Sequence, residues 1–298
     1  MYELAHGEPR ELPGSSTGQA SARDIDLERA VGAGRVVFAG NASGTRIVDT
    51  YQKFPIALAF PGVDGRRSLE TVVINCSGGI AGGDRLDVEV VARGEASVAV
   101  TTQAAEKVYR ALDRPAQITT RLAAHETARL AWLPQETIIF DRARIERRTE
   151  LDLRSGVEVI ALEWLVLGRI DSGEEVRGGY VLDSWRVKLD GRLLWADAFL
   201  ISDDTFAQLH RDALLSNWRA VGTLIYFGPG LARRLDVLRE IANSLGCKCA
   251  ATIVGAIIIV RLAAIAGADL KRELRSLLDQ FSRELGTGPF GVPKMWSC

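Results

Sequence analysis

The run VEVIALEWLVL, from Val157 to Leu167, decides the fold because it is apolar almost throughout. A continuous apolar run is typical of a β-strand that is covered on both faces. The run nevertheless contains Glu163 and stops at Gly168-Arg169. Burial of a carboxylate costs free energy unless the group is paired or has a function. The sequence therefore predicts a fully covered strand that carries one unusual carboxylate.

The surrounding chain is a series of short β-rich segments, from about Val36 to Leu200, separated by glycine, proline and charged turns. Apolar and polar residues alternate in these segments, so that one face of each strand can be buried. Strands of this length need to stack on neighbours to be stable, which predicts a mainly β fold. The clearest segments are Leu86 to Val91, Ser97 to Thr102, Ala128 to Leu133 and Ile145 to Leu153.

A hairpin is predicted at the end of this region. Ser184 to Leu189 and Leu193 to Leu200 are joined by Asp190-Gly191, a dipeptide that tolerates the positive φ angles of a tight turn. Beyond it the apolar spacing becomes helical. We expect helices from Asp203 or Asp204 to Leu215, from Leu231 to Leu245 and from Asp269 to Leu285, with strands at Thr223 to Phe227 and Thr252 to Val260 between them.

The domain organisation is predicted to be simple. Residues 1–34 carry glycine, serine and scattered charge and are interpreted as a flexible N-terminal arm without a secretory signal. No linker divides residues 35–298, which are expected to form a single domain. The stretch from Ala250 to Ala268 contains Arg261 and fits a buried strand and turn better than a membrane span.

Charge and cysteine content restrict the partners and the compartment. The chain has 37 lysine and arginine residues against 38 aspartate and glutamate residues, so it lacks the basic field that binds nucleic acid. Four unevenly placed cysteines are too few for a disulfide framework in 298 residues. We therefore expect a cytoplasmic protein in a reducing compartment, without a nucleic-acid or membrane partner.

Two polar segments follow predicted strands. Asn75 to Asp84 (NCSGGIAGGD) has two glycine pairs, but its spacing matches no nucleotide-binding loop. It is interpreted as a tight turn, with a functional role for Asp84 left open. Thr101 to Arg110 (TTQAAEKVYR) is either a solvated rim or a docking surface in which Tyr109 and Arg110 anchor a partner.

A third segment, Trp132 to Asp141 (WLPQETIIFD), carries carboxylates and is followed by Glu163. Such carboxylates can act as general acid and base, can bind a passing cation, or can simply be satisfied by backbone hydrogen bonds at strand ends. The three histidines have no ligand spacing, and Cys247-Lys248-Cys249 alone is more often structural than metal-binding. No motif of nucleophilic catalysis is present, so the residues leave the function open.

Together these blocks resemble the UreD (UreH) family of urease accessory proteins. The similarity runs from about Val36 to the C-terminus with its blocks in the family's order. Cys76, Lys294 and Met295 depart from the residues that are common in the family, so any thiol role would be particular to this chain. The matching blocks are NCSGGIAGGDRL (Asn75 to Leu86), TTQAAEKVYRA (Thr101 to Ala111), WLPQETIIFD, ALEWLVLGR (Ala161 to Arg169), WRVKLDGRLLWADAF (Trp185 to Phe199) and GVPKMW (Gly291 to Trp296).

The resemblance implies a layered β-helical body of stacked short strands with a few C-terminal helices. It implies a scaffold rather than an enzyme, which binds apo-urease and a UreF-like protein that recruits a UreG-like GTPase. Nickel would pass through in transit, with no permanently bound cofactor. The candidates for lining the nickel path are Asp84, Thr101, Thr102, Glu136, Asp141 and Glu163, and those for partner contact are Tyr109, Arg110 and Trp296.

Two alternatives to this scaffold stay open at the level of the sequence. The first is an enzyme on a β-helical fold that uses Glu136, Asp141 or Glu163 as acid and base. The second is a passive adaptor that holds the GTPase near urease without contacting nickel.

Overall fold

The computed structural model describes residues 29–61, 68–169, 173–286 and 288–297. Strands dominate, and they form two sheets with helices packed on the outer face of one sheet. The strands are β1 (Val31–Asn41), β2 (Gly44–Lys53), β3 (Ile56–Ala59), β4 (Leu69–Asn75), β5 (Arg85–Gly94), β6 (Ser97–Thr102), β7 (Glu106–Val108), β8 (Ala116–Ala124), β9 (Arg129–Trp132), β10 (Thr137–Ile139), β11 (Arg144–Leu153), β12 (Glu158–Leu167), β13 (Tyr180–Leu189), β14 (Arg192–Ile201), β15 (Ala220–Phe227), β16 (Lys248–Val254) and β17 (Ile257–Ala264). The helices are α1 (Asp203–Phe206), α2 (Leu231–Ser244) and α3 (Gly267–Leu285), followed by a 3-10 helix at Lys294–Ser297.

The first sheet has the strand order β14-β13-β11-β8-β5-β1-β2, and its five inner strands are parallel. The second sheet has the order β16-β17-β15-β12-β9-β6-β4-β3, with β4, β6, β9 and β12 parallel. Along the chain, β5, β8 and β11 of the first sheet alternate with β6, β9 and β12 of the second. Each circuit thus adds one strand to each sheet, which is the stacking of a β-solenoid. The predicted layered β-helical body is confirmed.

The core lies in two layers. One apolar cluster fills the space between the two sheets, and the other fills the space between the second sheet and helices α2 and α3. Strand β12 contributes to both, because successive side chains point to opposite faces. The predicted strand covered on both faces is therefore confirmed: Val159, Ala161 and Leu165 face the first sheet, and Ile160, Leu162 and Trp164 face the helices.

The local predictions from turn and cap residues are largely confirmed. Strands β13 and β14 form the expected antiparallel hairpin, with positive φ at Asp190 (50°) and Gly191 (81°). Helices α2 and α3 also lie where helical spacing places them. No helix among the described ranges is long and apolar enough to cross a membrane.

Two predicted elements are corrected. Helix α1 stops at Phe206 instead of Leu215, because the backbone beyond it forms turns with hydrogen bonds between residues three apart, such as that from Leu209 N to Phe206 O. The strand expected from Thr252 to Val260 is instead the hairpin of β16 and β17, with Gly255 in the left-handed conformation at its turn.

The N-terminal boundary also differs from the prediction. Strand β1 begins at Val31, inside the predicted flexible arm of residues 1–34, and pairs with β5 from its first residue. The rest of that arm, residues 1–28, lies outside the described residues.

Gly40 provides a test of the packing between β1 and the turn before β6. A Cβ added at Gly40 would lie 2.2 Å from the backbone nitrogen of Ala96. Because a backbone cannot rotate aside, we expect Gly40→Ala to lower the free energy of unfolding by about 2 kcal/mol. Urea denaturation measures this, with Gly291→Ala as the control since no atom lies within 4 Å of its added Cβ. Equal urea midpoints for the two variants would contradict the described contact.

Candidate functional site

The most unusual feature of the inter-sheet core is a buried group of charges, which we call the interior charge cluster: Arg147, Glu163 and Asp183. Arg147 on β11 and Asp183 on β13 belong to the first sheet, and Glu163 on β12 belongs to the second. The Arg147 guanidinium lies 2.7 Å from Glu163 Oε2 and 2.8 Å from Asp183 Oδ2. A single cation therefore joins carboxylates from both sheets.

Neutral groups complete the hydrogen bonding of the cluster. Trp132 Nε1 donates to Glu163 Oε1 at 2.8 Å, and the Thr149 hydroxyl donates to the same oxygen at 3.2 Å. Arg147 Nη1 also donates to the Thr137 hydroxyl at 2.9 Å. Glu163 and Arg147 thus each have several partners, and both oxygens of Asp183 accept from Arg147, as a buried polar network requires.

The protonation of the cluster follows from its charge count. Burial raises the pKa of Glu163, and Arg147 opposes this while Asp183 adds to it. Burial also acts to lower the pKa of Arg147, but the carboxylates of Asp183 and Glu163 outweigh it and hold that pKa above its ordinary value. One guanidinium balances one carboxylate, so the cost of burying a second negative charge favours the protonated form of Glu163, in agreement with its raised pKa.

The glycine-rich turn from Asn75 to Asp84 joins β4 to β5, and the carboxylate of Asp84 organises it. Asp84 Oδ1 accepts a hydrogen bond from Ala30 N, and Oδ2 accepts one from Ala81 N. Both oxygens are engaged by backbone, so the structure favours the interpretation of this segment as a structural turn.

The two threonines among the expected path residues also bind backbone groups. The Thr101 hydroxyl donates to Leu133 O at 2.7 Å. The Thr102 hydroxyl accepts from Gln135 N at 2.9 Å. These contacts join the second and third sequence blocks side by side at the ends of β6 and β9.

The remaining expected carboxylates lie apart from the interior charge cluster. Glu136 lies 3.5 Å from Lys271 of α3 and has one buried oxygen without a hydrogen bond. Asp141 accepts from Arg177 N at 2.8 Å and lies 3.8 Å from the Arg142 guanidinium. In the described part of the chain, no three histidine, cysteine, aspartate or glutamate side chains are grouped to hold a metal ion.

Of the residues predicted to contact a partner, Tyr109 is exposed and firmly held. Its ring covers Gly79, where an added Cβ would lie 2.3 Å from the ring, and its hydroxyl donates to Gly78 O. The ring also meets Phe140 edge-on at 5.2 Å. Gly79 is thus needed to admit this tyrosine, and Arg110 beside it is exposed as well.

Trp296 requires a correction, because its side chain is only 2 % exposed. It packs against Trp164 with ring centroids 6.0 Å apart, and its Nε1 donates to Leu133 O. Trp296 is therefore a core residue that anchors the C-terminal segment on the second sheet, and it offers no surface to a partner.

Among the described residues, the thiols are not grouped with other side chains that could hold a metal ion. Cys76, Cys247 and Cys249 are free, and Cys298 lies outside the described residues. Cys247 and Cys249 both pack on the core between the second sheet and the helices, as expected for alternate positions of a strand. Burial raises the pKa of Cys249 to about 12, so this thiol stays protonated at neutral pH.

Sequence reasoning found Glu163 but missed its partners. In the predicted strand Ile145 to Leu153, alternation places Arg147 on the same face as the apolar residues. This pattern indicates a buried arginine. Asp183 alternates in the same way with Val181 and Trp185 in β13, but it precedes the predicted start of that strand.

Known proteins are similar in sequence to this chain over almost its entire length. The family model described as UreD urease accessory protein matches residues 30–297. A urease accessory protein UreD of Xanthobacter autotrophicus is 36% identical over 279 residues, which cover 93% of this chain and 94% of that protein. The UreD of Mesorhizobium japonicum is 38% identical over 271 residues, which cover 91% of this chain and 95% of the relative.

Replacement of Arg147 tests the importance of the interior charge cluster. We expect Arg147→Met to lower the free energy of unfolding by about 3–5 kcal/mol, because two buried carboxylates lose their counter-charge. Arg148→Met is the matched control, since Arg148 is the next residue and its side chain is 55% exposed. In the same urea titration, Arg148→Met should change the free energy of unfolding by no more than about 0.5 kcal/mol. Similar costs for both variants would contradict the pairing.

The pH dependence of stability tests the raised pKa of Glu163. When folding raises the pKa of a carboxyl group, the group stabilises the folded state at pH values below its pKa in the unfolded chain. This stabilisation is lost as the pH rises through the pKa in the folded state. We therefore expect the stability of the wild type relative to Glu163→Gln to fall as the pH rises above about 4.5. Urea titrations at several pH values measure this difference. A difference that grows with pH would mean that the pKa of Glu163 is lowered instead.

Proposed function

Since this chain belongs to the UreD urease accessory protein family, we propose that it is a non-catalytic scaffold that helps to deliver nickel to apo-urease. The observation that carries the proposal is the interior charge cluster, which places acidic oxygens inside a solenoid that belongs to an accessory family. Nickel would be cargo that passes through in the cytoplasm. The partners would be apo-urease and a UreF-like protein that recruits a UreG-like GTPase.

Glu163 is the proposed contact for nickel in transit. Carboxylate and hydroxyl oxygens hold nickel less firmly than imidazole or thiolate, which suits an ion that must leave as well as enter. In the structure the place of a cation next to Glu163 and Asp183 is taken by the Arg147 guanidinium. Passage of nickel along these carboxylates would therefore require Arg147 to swing away, so that the oxygens of Glu163 and Asp183 could face the cation instead of the guanidinium.

Two observations bear on the other candidate functions. An enzyme that uses Glu163 needs access for a substrate, but this side chain is 3% exposed and its oxygens are already bonded to protein groups. A passive adaptor is favoured by the separation of the expected path residues and by the pairing of Glu163 with Arg147. The adaptor is therefore the second candidate.

Glu163→Gln separates the scaffold with a nickel path from the passive adaptor. Glutamine keeps an oxygen for Trp132 and Thr149 but removes the negative charge from the proposed path. In cells that carry the urease operon, we expect urease with about tenfold less nickel, while the accessory complex still co-purifies with urease. Nickel per urease is measured by mass spectrometry of the purified enzyme.

Glu150→Gln is the matched control, because Glu150 lies on neighbouring β11 with its side chain 35% exposed, and it should leave the nickel content unchanged. Full nickel loading of urease by the Glu163→Gln variant, with the complex intact, would reject the path and favour the passive adaptor.

A further inference from the structure

Four arginines surround a surface cleft of about 420 Å³ at the corner where β7 and β10 end and β8, β11 and β13 begin. We call it the arginine cleft. Positive and negative residues are nearly equal in number along the chain, so four arginines around one cleft differ from the average composition. The arginines are Arg110, Arg142, Arg144 and Arg177.

Only Arg144 is strongly paired within the cleft. It donates to Asp203 Oδ2 at 2.6 Å, and Asp203 Oδ1 accepts from Gly179 N at 2.7 Å. The hydrogen bond from the Gly179 backbone, followed by that from Arg144, lowers the pKa of Asp203, which therefore stays ionised. Both oxygens of Asp203 thus accept a hydrogen bond, one from Arg144 and the other from the Gly179 backbone.

The other three arginines have unused donors. Arg142 and Arg177 lie 3.8 and 3.7 Å from Asp141 and Glu175, which are contacts too long to be hydrogen bonds. Within the described ranges, the Arg110 side chain has no carboxylate within 4 Å. Clustered guanidinium groups repel one another unless an anion lies between them, and each can bind a carboxylate with two parallel hydrogen bonds.

The backbone of Arg142, one of these arginines, is held in place. Arg142 has a φ of 58°, which is uncommon for a residue other than glycine or asparagine. Its N–H donates to Gly178 O and its carbonyl accepts from Ala111 N, so it is fixed from both sides. A binding surface that is already in place loses little entropy when a ligand arrives.

Apolar side chains beside the cleft point to a protein ligand rather than a small anion. Leu112 lines the cleft and is 81% exposed, and Tyr109 next to Arg110 is 39% exposed. Exposed aromatic and apolar side chains combined with arginine are typical of protein interfaces.

We propose that the arginine cleft binds an acidic segment of a protein partner, with at least two carboxylates paired to Arg110, Arg142 and Arg177 and an apolar side chain on Leu112. The inference rests on the proposed function only in that the partner would be another member of the urease maturation complex. It requires no step of nickel transfer.

The test uses the full chain and a fluorescein-labelled peptide of sequence EEDLEE, followed by fluorescence anisotropy. We expect saturable binding that weakens as the salt rises from about 50 to 300 mM. The triple variant Arg110→Gln, Arg142→Gln, Arg177→Gln should bind at least about tenfold more weakly. The matched control is Arg148→Gln, Arg192→Gln, Arg233→Gln, which removes the same charge from exposed positions elsewhere and should bind like the wild type.

Four results would overturn the proposal. They are absence of saturable binding, equal binding of the uncharged peptide QQNLQQ, equal binding by both triple variants, and complete displacement by inorganic phosphate where chloride of equal ionic strength has no such effect. The last result would identify a small-anion site instead of a peptide site. The assay contains neither nickel nor urease, so its result is independent of the Glu163→Gln experiment. Peptide binding can be absent while the nickel path is upheld, and it can be present while the nickel path is rejected.

Discussion

The contact of one buried guanidinium with two carboxylates is the constraint on which the rest of the structure depends. Arg147 pairs with Asp183 in its own sheet and with Glu163 in the facing sheet. Buried charges tolerate little displacement, because each loses a large solvation energy that only its partner restores. The cluster therefore fixes how β11 and β13 face β12.

The elements that the sequence predicts correctly are those whose structure depends on residues close to one another in the chain. Alternation in Leu86 to Val91, the continuous apolar run around Glu163 and the turn at Asp190-Gly191 each act within a few residues, and the structure agrees with them. The helix expected to continue to Leu215 stops at Phe206, although Leu209 and Leu215 pack against the core, because the backbone beyond it forms a series of turns instead of a regular helix.

What the sequence alone could not predict is contact across the solenoid. The pairing of Glu163 with Arg147 and Asp183 depends on which strands face each other and in what register, and no local spacing contains that information. The same is true of Trp296, whose burial against Trp164 depends on the docking of the C-terminal segment. The arginine cleft likewise joins three segments that are distant in the chain. The fold thus combines a buried group of charged side chains between the sheets with a cluster of arginines at one surface corner.

The chain belongs to the UreD family, and its proposed role is to help supply nickel to urease. The most direct measurement is the nickel content of urease purified from cells that carry the urease operon with this gene deleted and then restored. The account predicts nickel-poor, inactive urease on deletion and recovery of both nickel and activity on restoration. Nickel-replete, fully active urease in the absence of the gene would contradict it.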